Sequence, residues 1–244
     1  MTTISVPVDS PFFAGHFPGH PILPGIAHLA LVAQALGGSP IVEIPSLRLR
    51  SPVRPGDVLS MKIEGPTDEG TVRFELHREA DLASSGSLRI GPASDLPELP
   101  EIPAPPGRPV EALLPHQPPA RLLRSMLEVS PEGLAGVAEI PGESPFAVDG
   151  RVPAFVGLEA AAQGAAVLEA LERREASGPR IGYLVGLRGV RLAVGTLPVE
   201  RPFRFAVRLT GSAPPLSIYE VTVEGAGGAE LLRGAISTFI LTES

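Results

Sequence analysis

Two long runs of hydrophobic residues stand out in a chain that otherwise alternates between apolar and polar positions. The first run, Ile26 to Leu36, follows Pro24-Gly25 and stops at Gly37-Gly38, a pair typical of a helix C-terminus. The second run extends from about Ala154 to Ala176 and ends before a Ser-Gly-Pro sequence. Both runs are longer than an ordinary strand, so the pattern predicts one helix in each half of the chain.

Shorter alternating stretches follow each predicted helix and indicate antiparallel strands. The predicted strands are Ser46–Arg50, Val58–Ile63, Thr71–Arg78 and Ala83–Ile90 in the first half, and Val185–Leu192, Phe203–Thr210, Ser217–Glu224 and Leu231–Leu241 in the second. One apolar helix followed by several antiparallel strands predicts an α+β fold, in which a curved sheet wraps around a buried helix.

A proline-rich segment separates the two halves. Residues 92–109 contain too many prolines to donate regular ladder hydrogen bonds or to continue a helix, and such a composition favours an extended spacer. We therefore divide the chain into a first unit at residues 1–91, a linker at 92–109 and a second unit at 110–244.

The two units also share an internal repeat. Three positions of the first unit recur in the second at one constant spacing, with Pro24, Ala30 and Gln34 corresponding to Pro153, Glu159 and Gln163. The same spacing places Pro145 opposite His16. The sequence therefore predicts a duplicated fold whose copies have diverged.

Composition and charge exclude several classes of protein. The formal net charge is −7, whereas proteins that bind duplex nucleic acid usually carry a basic face. The chain has no cysteine, which excludes a disulfide scaffold, an iron–sulfur cluster, a cysteine-ligated zinc and a thiol nucleophile. A secretory signal is not expected, because Met1 to Ser10 lacks both a basic n-region and a long apolar core. A membrane-spanning segment is not expected either, because charged and polar residues interrupt the most apolar stretch, Val152 to Leu171. We therefore expect a cytoplasmic protein without nucleic-acid or membrane partners.

One motif identifies a family. Residues 12–25 read Phe-Phe-Ala-Gly-His-Phe-Pro-Gly-His-Pro-Ile-Leu-Pro-Gly and resemble the signature of the β-hydroxyacyl-[acyl carrier protein] dehydratases. Residues 113–119 resemble the N-terminal motif of this family, and residues 152–163 resemble its central helix with the carboxylate. The whole chain is similar to the paired dehydratase subunits of the aryl-polyene pathway, fused into one. The resemblance implies a double hotdog, with two antiparallel curved sheets, each around a central helix, forming an intrachain pseudo-dimer.

The resemblance also implies one composite active site. The family's site combines a histidine of one hotdog unit with a helix carboxylate of the other. Here the first unit has His16 but carries Ala30 at the carboxylate position, and the second has Glu159 but carries Pro145 at the histidine position. Since each copy keeps the half that the other has lost, we expect a single complete site.

The residue types suit the elimination of water from a 3-hydroxyacyl thioester. A neutral imidazole can accept the C2 proton, which makes His16 the predicted base, and an apolar helix favours a protonated Glu159 as the acid. The Gly25 N–H at a helix N-terminus is the predicted oxyanion donor, and Gln163 is predicted to support the Glu159 carboxyl.

The other four histidines are assigned structural roles. His20 is expected to pack in its loop, His28 to pack on or line the helix face, His77 to be exposed on a strand, and His116 to cap its segment. Apart from His16 and His20 in a proline-broken loop, the histidines show no metal-ligand spacing, and no phosphate loop or dinucleotide fingerprint is present. We therefore expect neither a metal nor a cofactor.

The predicted reaction converts (3R)-hydroxyacyl-[acyl carrier protein] to trans-2-enoyl-[acyl carrier protein] in fatty-acid or aryl-polyene/polyketide-type biosynthesis. Two alternatives stay open, a hotdog acyl thioesterase and a non-catalytic protein that binds acyl chains or acyl carriers.

The expected partner is an acyl carrier protein that carries a 3-hydroxyacyl-phosphopantetheine, and acyl-CoA is the alternative carrier. Because carrier proteins are acidic, docking needs a local basic patch. Candidates for this patch are Arg48, Arg50, Arg54, Arg188 and Arg191, with a solvated strand face as the alternative interpretation. The chain is expected to act as a monomeric pseudo-dimer or as a further homo-oligomer.

Overall fold

The computed structural model describes residues 1–97, 99, 110, 112–172 and 182–240. In that part of the chain the α-helices are α1 (Gly25–Ala35) and α2 (Gly157–Glu172). The strands are β1 (Thr2–Ser5), β2 (Ile41–Leu49), β3 (Val58–Glu64), β4 (Thr71–Arg78), β5 (Asp81–Ile90), β6 (Leu123–Ser130), β7 (Gly133–Ala138), β8 (Arg151–Pro153), β9 (Gly182–Leu192), β10 (Thr196–Pro198), β11 (Phe203–Ala213), β12 (Leu216–Glu224) and β13 (Glu230–Ile240).

Within the described ranges, eleven strands form one antiparallel sheet in the order β1-β3-β4-β5-β2-β9-β13-β12-β11-β7-β6, and β8 pairs separately with β10. The two predicted sheets are therefore the two halves of one continuous sheet. Strands β2 and β9 pair across the boundary between the units, with Glu43 opposite Arg191 and Arg48 opposite Gly186. Each of these strands would otherwise leave an unpaired edge of N–H and C=O groups, so pairing them joins the two halves.

The two helices lie where the hydrophobic runs predict them. Helix α1 follows Pro24 and ends in a Schellman arrangement, in which Gly37 N–H donates to Gln34 O and Gly38 N–H donates to Ala33 O. A 3₁₀ turn at Ala154–Val156 leads into α2, which packs against β7, β11 and β12. The α+β class is confirmed, and residues 173–176 of the second predicted helix lie outside the described residues.

All eight predicted strands are found in the part of the chain that the structure describes, with ends shifted by up to five residues. Leu241, the predicted end of the last strand, lies outside the described residues. Five further strands were not predicted from the sequence, namely β1, β6, β7, β8 and β10. Strand β1 extends the first half of the sheet beside β3, and β7 and β6 extend the second half beyond β11. The second half therefore contains more of the sheet than the sequence pattern indicated.

The start of the proline-rich segment packs against the second unit. Ser94 forms an isolated parallel bridge with Val194, and the side chains of Leu99 and Val110 are buried in the core. Residues 98 and 100–109 lie outside the described residues, so the division into unit, linker and unit stays a prediction.

Residues 154–171 are long and apolar enough to cross a membrane by composition alone. However, 72% of this stretch is buried inside the protein. The core of the protein therefore accounts for its hydrophobicity, as it does for the central helix of a globular domain.

Candidate active site

A cavity of about 590 Å³ is lined by residues from both halves of the chain. The first half contributes the loop before α1 and the residues after β2, and the second half contributes α2, β9 and β13. Four of its lining residues carry polar groups that bear on chemistry: His16, Gly25, His116 and Glu159. Three of these four were singled out from the sequence.

His16 lies buried in a tight loop that fixes the orientation of its imidazole. The His16 backbone N–H donates to Phe13 O, and the neighbouring Phe17 is held at a positive φ of 55°. Nδ1 lies 2.9 Å from Ile22 O, and because a carbonyl only accepts, Nδ1 carries the proton. Nε2 therefore presents its lone pair. Burial lowers the pKa of His16 to about 4 despite this carbonyl, so the ring is neutral at pH 7.

Gly15 docks this loop onto the loop that carries His116. Gln117 N–H donates to Gly15 O over 2.9 Å, and a Cβ built on Gly15 would lie 2.1 Å from Gln117 O. Gly15 also has a φ of +73°, which L residues rarely adopt. Only glycine permits this approach, which sets His16 beside His116 with their ring centroids 5.4 Å apart.

Replacement of Gly15 by Ala is expected to separate the two loops. The added methyl group must push away the Gln117 carbonyl, so we expect a lower Tm and a loss of turnover of at least about tenfold. Gly19→Ala is the matched control, because Gly19 has a φ of +81° but a Cβ added there would meet nothing within 4 Å. Thermal unfolding and steady-state kinetics of the two variants test this, and equal behaviour would contradict the loop-docking argument.

Glu159 enters the site from the first turn of α2. Its side chain is 13% exposed, and burial raises the pKa of its carboxyl to about 7, although the hydrogen bond from Gln163 opposes the rise. About half of the Glu159 side chains are therefore protonated at neutral pH. This is the environment that the sequence predicted for an acid.

Gln163 is held in one orientation by the backbone around it. Its Oε1 accepts from the N–H groups of Leu122 and Leu123, so its Nε2 must donate, to Ala120 O at 2.8 Å and to Glu159 Oε1 at 3.3 Å. Gln163 therefore anchors the Glu159 carboxyl to the segment before β6.

The structure brings His16, His116 and Glu159 together, with one nitrogen or oxygen atom of each within 4.8 Å of the others. These three are also the described residues that could hold a metal ion, an arrangement that sequence spacing did not reveal. The expected capping role of His116 was wrong, since its Nδ1 has no hydrogen-bond partner among the described residues and its buried Nε2 lies 3.6 Å from Glu159 Oε1. Burial and the adjacent His16 lower the pKa of His116 to about 3, so the contact is not an ion pair at pH 7.

Gly25 is the first residue of α1, and its N–H therefore has no acceptor inside the helix. A Cβ at this position would lie 2.6 Å from Leu49 Cδ1 and 3.1 Å from Leu184 Cδ2, so these leucines approach the backbone closely. The glycine lines the cavity beside His16 and Glu159. Its position fits the predicted oxyanion donor, a role that stays a prediction.

The remaining sequence candidates fall outside the cluster. His20 and His28 line the cavity, and Nδ1 of His28 lies 2.9 Å from Ser84 Oγ. His77 is half-buried and contacts Glu75, so the expectation of an exposed His77 was only partly right. At the two positions that lack the family's site residues, Ala30 is packed against the core and Pro145 lines a small neighbouring cavity.

The predicted basic patch divides into two groups. Arg50 and Arg54 are exposed residues that line the cavity, with Ser51 and Pro52 between them. In contrast, Arg48, Arg188 and Arg191 are exposed on β2 and β9, where none of them lines this cavity. Only the first group is placed to meet a ligand that enters the cavity.

A stretch of α2 extends the cavity away from the cluster. Ala162 and Ala166 follow Glu159 along the lining of the cavity, and their small side chains leave space beside the helix. Glu169 lines the cavity one turn further on. Oε1 of the buried Glu169 accepts hydrogen bonds from Tyr219 and Thr238, each over 3.0 Å. In the sequence Glu169 stood out only as an interruption of an apolar stretch, and its place in the cavity was missed.

Two dehydratase families match the chain in succession. The ApeI-like family, described as ApeI dehydratase, matches residues 1–87, and the ApeP-like family, described as ApeP dehydratase, matches residues 108–243. The boundary between these matches falls in the proline-rich segment. The ApeP-like match covers more than half of the chain.

Similar curated proteins carry the same type of activity in their names. The 3-hydroxyacyl-[acyl-carrier-protein] dehydratase FabZ of Syntrophobacter fumaroxidans is 37% identical over 103 residues, which cover 33% of this chain and 70% of that protein. FabZ of Chlamydia trachomatis serovar D is 40% identical over 74 residues, which cover 25% of this chain and 48% of that protein.

Solved structures show the same fold. The dehydratase domain of PpsC from Mycobacterium tuberculosis, in complex with C12:1-CoA, superposes with a TM-score of 0.67 at 17% identity and covers 98% of this chain and 92% of that one. The dehydratase heterocomplex ApeI:P from Xenorhabdus doucetiae gives a TM-score of 0.50 at 26% identity, covering 56% of this chain and 93% of that one. These likenesses confirm the double hotdog. With a family match over more than half of its length, the chain belongs to the hotdog dehydratases, as an ApeI-like segment followed by an ApeP-like segment.

Proposed function

We propose that the protein dehydrates (3R)-hydroxyacyl-[acyl carrier protein] to trans-2-enoyl-[acyl carrier protein] at the composite site. This proposal rests on the proximity of two groups in the cavity. One is the neutral imidazole of His16, whose Nε2 has a free lone pair, and the other is the largely buried carboxyl of Glu159, whose pKa is raised. The two groups come from different halves of the chain. A base and an acid of these types are what the elimination of water needs.

His16 acts as the base in this reaction. Its Nε2 accepts the proton from C2 of the substrate while Nδ1–H stays on Ile22 O, which also stabilises the imidazolium that forms. Negative charge then develops on the thioester oxygen. The Gly25 N–H at the positive end of α1 stabilises that charge.

Glu159 acts as the acid. The electron pair of the C2–H bond forms the C2=C3 double bond, the C3–O bond breaks, and the departing hydroxyl takes the Glu159 proton to leave as water. The cycle leaves His16 protonated and Glu159 ionised. Transfer of the proton between these adjacent groups, directly or through one water molecule, restores the starting state.

The cavity provides a place for each part of the substrate. Arg50 and Arg54 at the cavity can attract the phosphate of the phosphopantetheine arm and the acidic surface of a carrier protein. The acyl chain lies along Ala162 and Ala166. The same features suit acyl-CoA, so we propose the carrier protein as the main partner and acyl-CoA as an alternative carrier.

We further propose that the pathway is of the fatty-acid or aryl-polyene/polyketide type and that the enzyme works in the cytoplasm. The matches to ApeI-like and ApeP-like dehydratases support the pathway type. The dehydratase names of the curated relatives, together with the burial of 72% of residues 154–171 inside the protein, agree with this location. The fused units form the functional pseudo-dimer through the β2–β9 pairing, with or without further self-association.

One assay separates dehydration from the two alternatives. With a 3-hydroxyacyl thioester as the substrate, a dehydratase produces enoyl absorbance without free thiol, and a thioesterase releases thiol. A binding protein does neither but still shows saturable binding. We expect enoyl absorbance alone, and thiol release alone would overturn the proposal.

The pH dependence of kcat/KM follows from the two pKa values. Glu159 must be protonated, so activity is expected to fall about tenfold per pH unit above pH 7. His16 must be neutral, so activity falls only below about pH 4, which leaves a plateau between these limits. A pH profile in buffers of constant ionic strength tests this. A profile that rises through pH 7 would contradict the assignment of Glu159 as the acid.

A further inference from the structure

His116 has features that the proposed dehydration does not use. It is only 6% exposed, its Nε2 lies 3.6 Å from Glu159 Oε1, and its Nδ1 is buried with no hydrogen-bond partner among the described residues. Its ring also contacts the rings of His16 and Phe17. Burying a polar ring with an unpaired nitrogen costs free energy, so its position beside Glu159 calls for a function.

The surroundings of the two clustered histidines differ. Ile22 O fixes the proton of His16 on Nδ1 and leaves Nε2 as a lone pair, as a base requires. His116 has no comparable backbone acceptor among the described residues. The two imidazoles therefore cannot be interchangeable bases, although both are buried in the same cavity.

The unpaired Nδ1 determines the tautomer of His116. A buried N–H without an acceptor is rarer in proteins than a buried acceptor without a donor. The proton of His116 is therefore favoured on Nε2, where it faces a carboxyl oxygen of Glu159. This is the opposite tautomer to that of His16.

The orientation of Gln163 makes Oε1 of Glu159 an acceptor. Because Gln163 Oε1 is occupied by two backbone N–H groups, its Nε2 donates to Glu159 Oε1. A second donor from His116 acts on the same oxygen. When Glu159 is protonated, its proton is therefore held on Oε2.

We propose that His116 is a positioning residue, whose Nε2–H acts with Gln163 to keep Glu159 Oε1 an acceptor and to hold the acid proton on Oε2 for the departing hydroxyl. This role rests on the proposed dehydration. The 3.6 Å separation is long for a hydrogen bond and is expected to shorten when substrate closes the site. The low pKa of His116 supports the role, because an imidazolium would stabilise the Glu159 carboxylate and remove the acid.

The first test measures the tautomers directly and does not depend on turnover. The chain has only five histidines, so long-range ¹H–¹⁵N spectra of protein labelled with ¹⁵N-histidine are readily assigned, with His16→Asn and His116→Gln each removing one signal set. At pH 7 we expect a neutral His116 protonated on Nε2 and a neutral His16 protonated on Nδ1. Protonation of His116 on Nδ1, or a cationic His116, would overturn the proposal even in an inactive protein.

The second test compares kinetics of His116→Phe and His116→Gln. The Phe variant keeps the ring volume but lacks the donor, so we expect kcat to fall about 10- to 100-fold with little change in KM. The pH at which its activity falls on the basic side (the basic limb of the pH profile) should be higher than in the wild type, because the lost N–H had stabilised the carboxylate of Glu159 and its loss raises the pKa of that group. Among the described residues, His16 and His116 are the titratable groups clustered with Glu159. The pH profile of His16→Asn therefore serves as the reference for the contribution of His16.

The Gln variant retains an N–H donor and is expected to recover kcat to within about fivefold of the wild type. His77→Gln, on β4 and outside the cavity lining, controls for the loss of an unrelated histidine and should leave kcat and the pH limb unchanged. An unmoved basic limb in His116→Phe, or equal damage in both His116 variants, would show that His116 only packs. Failure of the proposed function itself would appear differently, as a wild-type protein without dehydratase activity.

Discussion

Replacing His16 by Asn is expected to lower kcat/KM about 10²- to 10⁴-fold while the protein stays folded. The Asn side chain amide can take the place of Nδ1–H and donate to Ile22 O, so the loop keeps its anchor. It offers no equivalent of Nε2, and the C2 proton then has no acceptor. Steady-state kinetics with a 3-hydroxyacyl thioester, together with a thermal unfolding curve, measure both parts of this expectation.

His20→Asn is the control, since His20 belongs to the same loop and also lines the cavity but lies outside the cluster with Glu159. We expect it to lose less than about threefold in turnover. If His20→Asn is as damaging as His16→Asn, the base has been assigned to the wrong histidine. If His16→Asn keeps more than a tenth of the wild-type rate, His16 is not a base.

The pairing of His16 with Glu159 could be predicted because the two repeated units differ in a complementary way at the positions of these residues. Each unit retains one residue of the family's pair and has lost the other, to Ala30 in the first and Pro145 in the second. The helices could be predicted as well, since long, mostly apolar runs with proline and glycine at their boundaries have few other interpretations.

His116 could not be placed by the same reasoning. Its position depends on the approach of two loops through the backbone of Gly15 and Gln117, and backbone contacts leave no side-chain pattern. A glycine before the motif histidine was the one available signal, and a glycine in a loop also has the simpler explanation of a turn.

The missed strands have a similar physical cause. Strand β7 contains Gly133 and Gly136, and glycine lowers the strand signal of a short segment. A Cβ on Gly136 would lie 2.8 Å from Ser125 O and 2.9 Å from the Phe205 ring, so the close packing at this position requires glycine. Likewise, the alternation of β2 or β9 alone does not show that they pair with one another to make one sheet.

Replacing Glu159 by Gln is expected to remove activity to a similar extent, about 10²- to 10⁴-fold, because the amide is isosteric but cannot supply a proton to the departing hydroxyl. Its carbonyl can still accept from Gln163 Nε2, so the local hydrogen bonds survive. Binding of an unreactive acyl-pantetheine analogue should stay within a few-fold of the wild type. Retained dehydration in Glu159→Gln would exclude Glu159 as the acid.

The same variant is expected to be more stable than the wild type at high pH. The pKa of Glu159 is raised from 4.5 to about 7 in the folded protein, so between these values the folded state holds a proton that the unfolded state has lost. The stability contributed by Glu159 therefore falls as pH rises through this window, by about 3 kcal/mol in total. Buried His16, His28 and His116 have lowered pKa values and act in the opposite direction, but they are common to both proteins.

The difference in unfolding free energy between Glu159→Gln and the wild type isolates the carboxyl. We expect this difference to grow in favour of the variant from pH 4.5 to pH 7 and to level off above, as measured by denaturant unfolding at several pH values. Glu143→Gln, at an exposed surface position, is the matched control and should show no such trend. A difference that is flat with pH would mean that the carboxyl is not held protonated by burial, and the proposed acid would then lack its physical basis.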